Sequence, residues 1–246
     1  MSLIGEFVAR MSQAWLDRFR LRYGLSDVLT PAVSMQPALW ARIPDQRLLL
    51  HVGCGQHTLK TIPVPGFRET AWREIRLDAS EGESPDIVGT MTEMSSVPTA
   101  SVDAVYSSHN IEHIFWYEVP RALAEFRRVL NDDGFLVVTC PDLQSAVQLI
   151  AEDRVFDTAY VSPDGPITAF DMVYGYRPDL ESNPWMAHHC GFTLTTLVKV
   201  LSEAGFAKVQ GYRQQDGFAL WVVASKLRRS GEAMAALAAD YLPFGD

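Results

Sequence analysis

His109, Glu112 and His113 are the densest group of side chains able to move protons. On a helix, His109 and His113 stand four apart and Glu112 stands three from His109, so two of the three share a face. Neutral histidine titrates near pH 7 and can take a proton from an oxygen or nitrogen nucleophile. Glu112 and His113 can equally bond neighbouring backbone and brace a loop, and for His109 catalysis and structure stay open together. A second group is made of backbone. The apolar run Leu48-Leu49-Leu50-His51-Val52 leads straight into Gly53-Cys54-Gly55. A glycine pair there permits a tight turn and lets a ligand approach where a Cβ would block it. Asp78 follows about 20 positions later, at the end of the next strand-like run, where a ribose diol is held in nucleotide-binding sheets. Together these residues imply a nucleoside-bearing cofactor over the carboxyl ends of a parallel sheet.

The cofactor is narrowed by what is missing. A dinucleotide site wants a third glycine three residues after the second. This chain has Gln56, His57 and Thr58 instead, and Pro63 and Pro65 compromise the helix that would aim its N-terminus at a pyrophosphate. A nicotinamide oxidoreductase is therefore disfavoured. A ligand with one nucleoside and an amino-acid tail needs only the close backbone approach and the diol clamp. Cys54 reads as a small buried residue rather than a nucleophile.

The elements that must position these groups follow from periodicity. Residues 3–23 carry apolar side chains at helical spacing. Strands are expected at 48–52, 72–77, 86–89, 102–107 and 135–139. A final pair at 209–212 and 219–224 is joined by a hairpin-like turn. Residues 109–130 read as a helix interrupted near Pro120 and closed by a turn at 131–134. Asp142 opens another helix, 193–204 is a helix ending at Gly205, and 232–241 is a terminal amphipathic helix. The prolines after Gly55 predict a short or displaced crossover helix. Strands alternating with helices imply an α/β, Rossmann-like, seven-stranded mixed sheet, mostly parallel with one antiparallel edge strand and helices on both faces. One domain over 1–246 is expected, with an N-terminal helical extension at 1–45, an inserted region at 153–191 and a C-terminal helix within 226–246.

Composition bounds the partners. The 246 residues are 48% hydrophobic and 21% charged, ordinary for a globular protein. A net charge of −9 argues against nucleic acid as the main partner. Cys54, Cys140 and Cys190 form no C-x-x-C, and a cytoplasmic setting fits. No signal peptide or membrane span is read.

HVGCG, IRLDAS, PDIVGTM, SVDAVYSSHNIEHI, RALAEFRRVLNDDGFLVVTCPDL and FTLTTLVKVLSEAGF fall in the order seen in class I S-adenosylmethionine-dependent methyltransferases. Over roughly residues 46–225 the chain resembles the broad type 11 branch of that family. The resemblance implies S-adenosylmethionine as cofactor, with Gly53, Cys54 and Gly55 along its methionine tail. It implies Asp78 on the ribose, with Ala79 beside it, Thr90 and Met91 at the adenine, and Ser108 at the methionine end. Three positions depart from the family pattern. His51 replaces an acidic residue and is left to orient the glycine loop, His57 replaces a third glycine, and Thr90 replaces an aspartate. Some ubiquinone-pathway O-methyltransferases are similar around Glu112 and His113, with a metal-binding Glu-x-x-Glu-His in which His109 would stand for the first Glu. That makes a divalent metal a third reading of the cluster, although no metal ligand is assigned.

The aromatic-rich 153–191 stretch reads as irregular, and as a lid or substrate pocket, with Tyr174, Trp185, His188 and His189 as acceptor-side candidates, or as a subunit-contact loop. Adjacent His188 and His189 diverge, so a metal shared by those two is disfavoured. The function expected is methyl transfer to an oxygen or nitrogen of a small molecule, a sugar or glycan precursor being one candidate, by a monomer or homodimer. The alternative is a catalytically silent relative that binds the cofactor or a protein partner.

Overall fold

A computed structural model describes residues 37–69 and 71–243. The helix expected over 3–23 lies outside the described residues. Of the N-terminal extension, only its end is described, including a 3-10 turn over Pro37–Trp40.

The chain builds β1 (Arg47–Val52), β2 (Trp72–Asp78), β3 (Ile87–Val88), β4 (Val102–Ser108), α1 (Val119–Val129), β5 (Leu130–Pro141) and α2 (Leu143–Ala151). It continues through β6 (Thr158–Ser162), β7 (Gly165–Thr168), α3 (Ala169–Tyr174), α4 (Arg177–Leu180), α5 (Leu194–Glu203), β8 (Lys208–Gln214), β9 (Ala219–Ser225) and α6 (Gly231–Tyr241). Seven strands form one sheet in the order β3-β2-β1-β4-β5-β9-β8. Strands β1 to β5 pair in parallel, whereas β9 is antiparallel to both β5 and β8. The expected mixed sheet is present, and β8 and β9 form the antiparallel pair at its edge.

The order turns back at β1 and β4, which lie side by side though β1 is followed in sequence by β2. Ligands of open α/β sheets sit at such a switch point, outside the carboxyl ends. Continuous apolar runs suit these central strands because both faces are covered. On one face, Leu50, Val52, Val105 and Val138 pack with Phe126 of α1 and Leu201 of α5. On the other, Leu49, Tyr106, Phe135 and Val223 pack with Phe67, Trp72 and the α6 residues Met234, Leu237 and Tyr241.

Among the described residues no α-helix connects β1 to β2, and the only helical turn there is a 3-10 turn over Pro65–Phe67. The prolines explain it, and α6 covers the face a crossover helix would have covered. The Tyr241 ring lies 4.9 Å from Phe67 and 4.5 Å from Phe135. Arg47 stacks its guanidinium 4.0 Å over Trp72 and donates to the Tyr241 hydroxyl at 3.0 Å. Gly66 permits this docking, since a Cβ there would fall 2.6 Å from the Asp240 carbonyl oxygen.

Three expectations are corrected. Residues 109–130 are not one interrupted helix: α1 begins at Val119 with Pro120 in its first turn, where proline's missing N–H costs nothing. Before it, Ile111–His113 and Trp116–Glu118 are separate 3-10 turns. Residues 131–134 fall inside the long strand β5, as an irregularity where its register with β4 skips from Leu130 to Phe135. The 153–191 stretch is also more ordered than expected, with the β6–β7 hairpin, α3 and α4. No helix among the described residues is long and apolar enough to cross a membrane.

Candidate active site

The glycine turn leaves β1 in left-handed conformation, with φ of +67° at Gly53 and +48° at Gly55. The N–H groups of Gly53 and Cys54 donate to the Leu77 carbonyl at 2.8 and 3.3 Å, tying the turn to the end of β2. Gly55 N–H donates to Asp78 Oδ2 at 2.9 Å, and Ser80 N–H donates to Oδ1 at 2.9 Å. Each carboxylate oxygen thus holds one backbone donor and keeps accepting capacity. Around Gly55 a Cβ would meet nothing within 4 Å, so its bare main chain faces open space. At Gly53 the space is filled by Asn110, whose amide nitrogen would lie 2.2 Å from an added Cβ and donates to the Val52 carbonyl at 3.2 Å.

Beneath the turn runs a polar layer. His51 is buried; its Nδ1 lies 2.8 Å from Glu74 Oε1 and its ring 5.1 Å from Tyr106. The other Glu74 oxygen accepts from Leu59 N–H at 3.0 Å. A carboxylate from the adjacent strand thus stands directly beside position 51. His51 was expected to orient the glycine loop; the structure encloses its side chain below that loop, against Glu74. Arg76 donates to the carbonyls of Gly55, His57, Glu83 and Ser84, pinning the turn to the loop after β2. Burial pushes the Cys54 thiol up to about 11, which leaves it protonated and unreactive near neutrality.

The other cofactor-side candidates gather at the same edge. Gly89 N–H donates to the Asp78 carbonyl at 2.8 Å, so Thr90 and Met91 emerge beside Asp78. Thr90 and Ala79 are exposed, whereas Met91 packs into the core cluster with Leu77 and Met94. Ser108 ends β4, paired with Thr139 of β5, and burial pushes the Tyr106 hydroxyl pKa up to about 12 with Ser108 opposing.

Past β4 the chain turns sharply. His109 takes a left-handed φ of +46° and donates its N–H to the Thr139 carbonyl at 2.9 Å. Its side chain is 45% exposed, with Nδ1 3.5 Å from Glu112 Oε1. Glu112 is buried, and neither of its oxygens has a hydrogen-bond partner. Burial raises its pKa, but the nearby His109, His113 and His188 outweigh it and hold the carboxyl below its ordinary value. His113 turns Nδ1 to the Ala187 carbonyl at 3.2 Å, and His188 turns Nδ1 to the Met172 carbonyl at 2.9 Å. Burial, with His113 adding to it and Glu112 opposing, lowers the His188 pKa.

The inserted region comes back to this turn. The N–H groups of His189 and Cys190 donate to the Glu112 carbonyl at 2.8 and 3.2 Å, and the His189 ring stacks 4.3 Å from Phe115. A cavity of about 250 Å³ opens there, lined by Glu112, Pro141, Tyr174, His188 and His189 among others. Three acceptor-side candidates therefore border one space. Trp185 does not line it and is 73% exposed. Glu74, Arg76 and Asn110 escaped the sequence reading. Glu74 and Arg76 share the strand face of Asp78 at period two, a signal that was present; Asn110 carries none.

A parallel sheet with a glycine turn after β1, an acid ending β2 and a reversed β9 defines the class I methyltransferase fold. Residues 50–138 match the family model described as a methyltransferase domain. Over that segment the chain is similar to the type 11 branch of methyltransferases, whose cofactor is S-adenosylmethionine. Similar solved structures include an S-adenosylmethionine-dependent methyltransferase from Thermotoga maritima, at 16% identity over 89% of this chain and 96% of that one, TM-score 0.47. Another is the 1,6-didemethyltoxoflavin-N1-methyltransferase of Burkholderia thailandensis, at 16% identity over 93% and 92%, TM-score 0.46. A third is an S-adenosylmethionine-dependent methyltransferase from Mesorhizobium loti, at 20% identity over 76% and 95%, TM-score 0.46. No curated protein sequence matches the chain.

Proposed function

We propose that this chain methylates an oxygen or nitrogen of a small molecule seated in the cavity beside Glu112 and His188. The observation that carries the reading is one edge of one sheet. The open backbone at Gly55 and the Asp78 carboxylate stand at the carboxyl ends of β1 and β2, and the cavity adjoins the turn that follows β4. These residues fit the cofactor: nothing crowds Gly55, and Asp78 retains lone pairs for a diol after binding Gly55 and Ser80. Bound there, S-adenosylmethionine supplies an electrophilic methyl group on a sulfonium.

The chain's own work is alignment and proton removal. The Arg76 guanidinium and the Asp78 carboxylate hold the loop's shape through their bonds to the Gly55 carbonyl and N–H. His109 stands at the turn beside the cavity rather than in its lining, with Nδ1 3.5 Å from Glu112 and Nε2 left to take a proton from an acceptor hydroxyl or ammonium that reaches it. Glu112 steadies the imidazolium that forms. Tyr174 and His189 border the acceptor from the inserted region.

The finer reading goes with this one. The acceptor is a small molecule, with a sugar or glycan precursor as the candidate tested first. The net charge of −9 disfavours nucleic acid, the three free cysteines suit a reducing cytoplasm, and one domain carries 153–191 as its acceptor-side insertion in a monomer or homodimer. The test is formation of S-adenosylhomocysteine from S-adenosylmethionine across a panel of hydroxyl and amine acceptors. Turnover with one acceptor class is expected, and His109→Gln lowers kcat about 100-fold. Tight binding of S-adenosylhomocysteine with no turnover on any acceptor would point to the silent relative.

A further inference from the structure

The Glu112 carboxylate is enclosed, yet neither oxygen receives a hydrogen bond. The nearest donor, His109 Nδ1, stops at 3.5 Å, beyond hydrogen-bond range. A buried anion in that condition is strongly disfavoured unless a positive partner faces it.

Two imidazoles are arranged around it. His113 and His188 each direct Nδ1 at a backbone carbonyl, Ala187 and Met172 respectively. A carbonyl only accepts, so each Nδ1 carries the proton and each neutral ring keeps its lone pair on Nε2. Holding the distal N–H on a carbonyl is how proteins fix the tautomer and aim of a metal-binding histidine. The rings lie 4.9 Å apart at 70°, edge to face, and one ligand atom from each of Glu112, His113 and His188 falls within 4.8 Å of the others. Ligands about 2.1 Å from a shared ion in tetrahedral geometry stand about 3.4 Å apart, so the three side chains would close in by up to about 1.4 Å to share one ion.

We propose that Glu112, His113 and His188 bind one divalent transition-metal ion of the zinc class. Two nitrogens and one carboxylate favour such an ion over magnesium or calcium, which take oxygen donors. Three protein ligands leave coordination positions open, as a catalytic site requires. Glu112 and His188 also line the 250 Å³ cavity, so those positions border whatever enters it. An acceptor with an oxygen or nitrogen lone pair would meet the ion there. That use of the ion in methyl transfer rests on the function proposed above; the binding of the ion does not.

The test is calorimetric titration of tag-free, chelator-stripped full-length protein with zinc chloride, with cobalt(II) chloride followed by visible absorbance as a second probe. One equivalent of zinc binds per chain and an equal concentration of magnesium does not compete. Glu112→Gln, His113→Ala and His188→Ala each weaken zinc binding at least 10-fold, while His57→Ala leaves it unchanged. Binding of S-adenosylhomocysteine is measured on every variant and stays within about threefold, which separates loss of the site from loss of the fold. Absence of stoichiometric zinc binding by the unaltered protein would overturn the proposal, as would full retention in His113→Ala and His188→Ala. Failure of zinc with intact S-adenosylhomocysteine binding sinks only the metal site; the reverse result sinks only the methyltransferase reading.

Discussion

Asp78 does two jobs with one carboxylate. It fixes the glycine turn through Gly55 N–H, and in the proposed reading its remaining lone pairs take a diol. Replacing it with alanine removes the diol acceptor and one tie of the loop, while Arg76 still pins Gly55 and His57. Asp78→Ala therefore weakens S-adenosylhomocysteine binding more than tenfold by calorimetry, with the melting temperature nearly unchanged. Gly53 is the opposite case, a position where shape decides. Its φ of +67° and the Asn110 amide packed on it exclude any side chain. Gly53→Ala is expected to cost about 1–2 kcal/mol of stability in urea unfolding, because an L-residue in left-handed geometry is strained and Asn110 must move. Both positions were legible in the chain, since a glycine turn after an apolar run and an acid one strand later follow from backbone sterics alone. The acceptor side was not legible in the same way. Local sequence puts Glu112 next to His113, but His113 meets the Ala187 carbonyl across 74 positions, and only the return of the inserted region puts His188 there.

At the scale of elements, the strands were readable because a sheet buried on both faces demands unbroken apolar runs. Helix α1 was misread at its start because Pro120 signals a break in a helix interior but is welcome in a first turn. The hairpin and short helices of 153–191 were missed because their strands are brief and half exposed, so no alternation survives. That region is held by its own buried acid. The Asp171 carboxylate accepts from Thr168 Oγ1 at 2.6 Å and from Arg177 Nε at 2.8 Å. Burial raises its pKa, yet the bonds from Arg177 and Thr168 prevail and hold it below the ordinary carboxylate value. A lowered folded pKa gives stability that is present above the unfolded value, near 3.9, and lost as pH falls through the folded one. Urea midpoints of the unaltered protein should fall on acidification below about pH 5, and Asp171→Asn should make that slope shallower. An unchanged slope would place the acid sensitivity elsewhere.

The whole molecule is organised by one substitution of parts, with α6 standing in for the crossover helix that Pro63 and Pro65 forbid. The amphipathic stripe of α6 was visible in the sequence, but a stripe does not say which sheet face it covers. Its aromatic anchor is Tyr241, set among Phe67, Trp72 and Phe135. Tyr241→Ala is expected to cost about 3 kcal/mol in chemical denaturation. Because α6 packs beneath the loop rather than at its open edge, cofactor affinity measured well below the transition should change little. In the proposed reading the sheet serves a cofactor site at the β1–β4 switch point, and calorimetry tests that most directly. The full-length protein is titrated in turn with S-adenosylhomocysteine and NAD. One equivalent of S-adenosylhomocysteine binds, with affinity lost in Asp78→Ala, and NAD gives no heat. Well-folded protein that ignores the sulfur ligand, or that prefers NAD, would contradict the account.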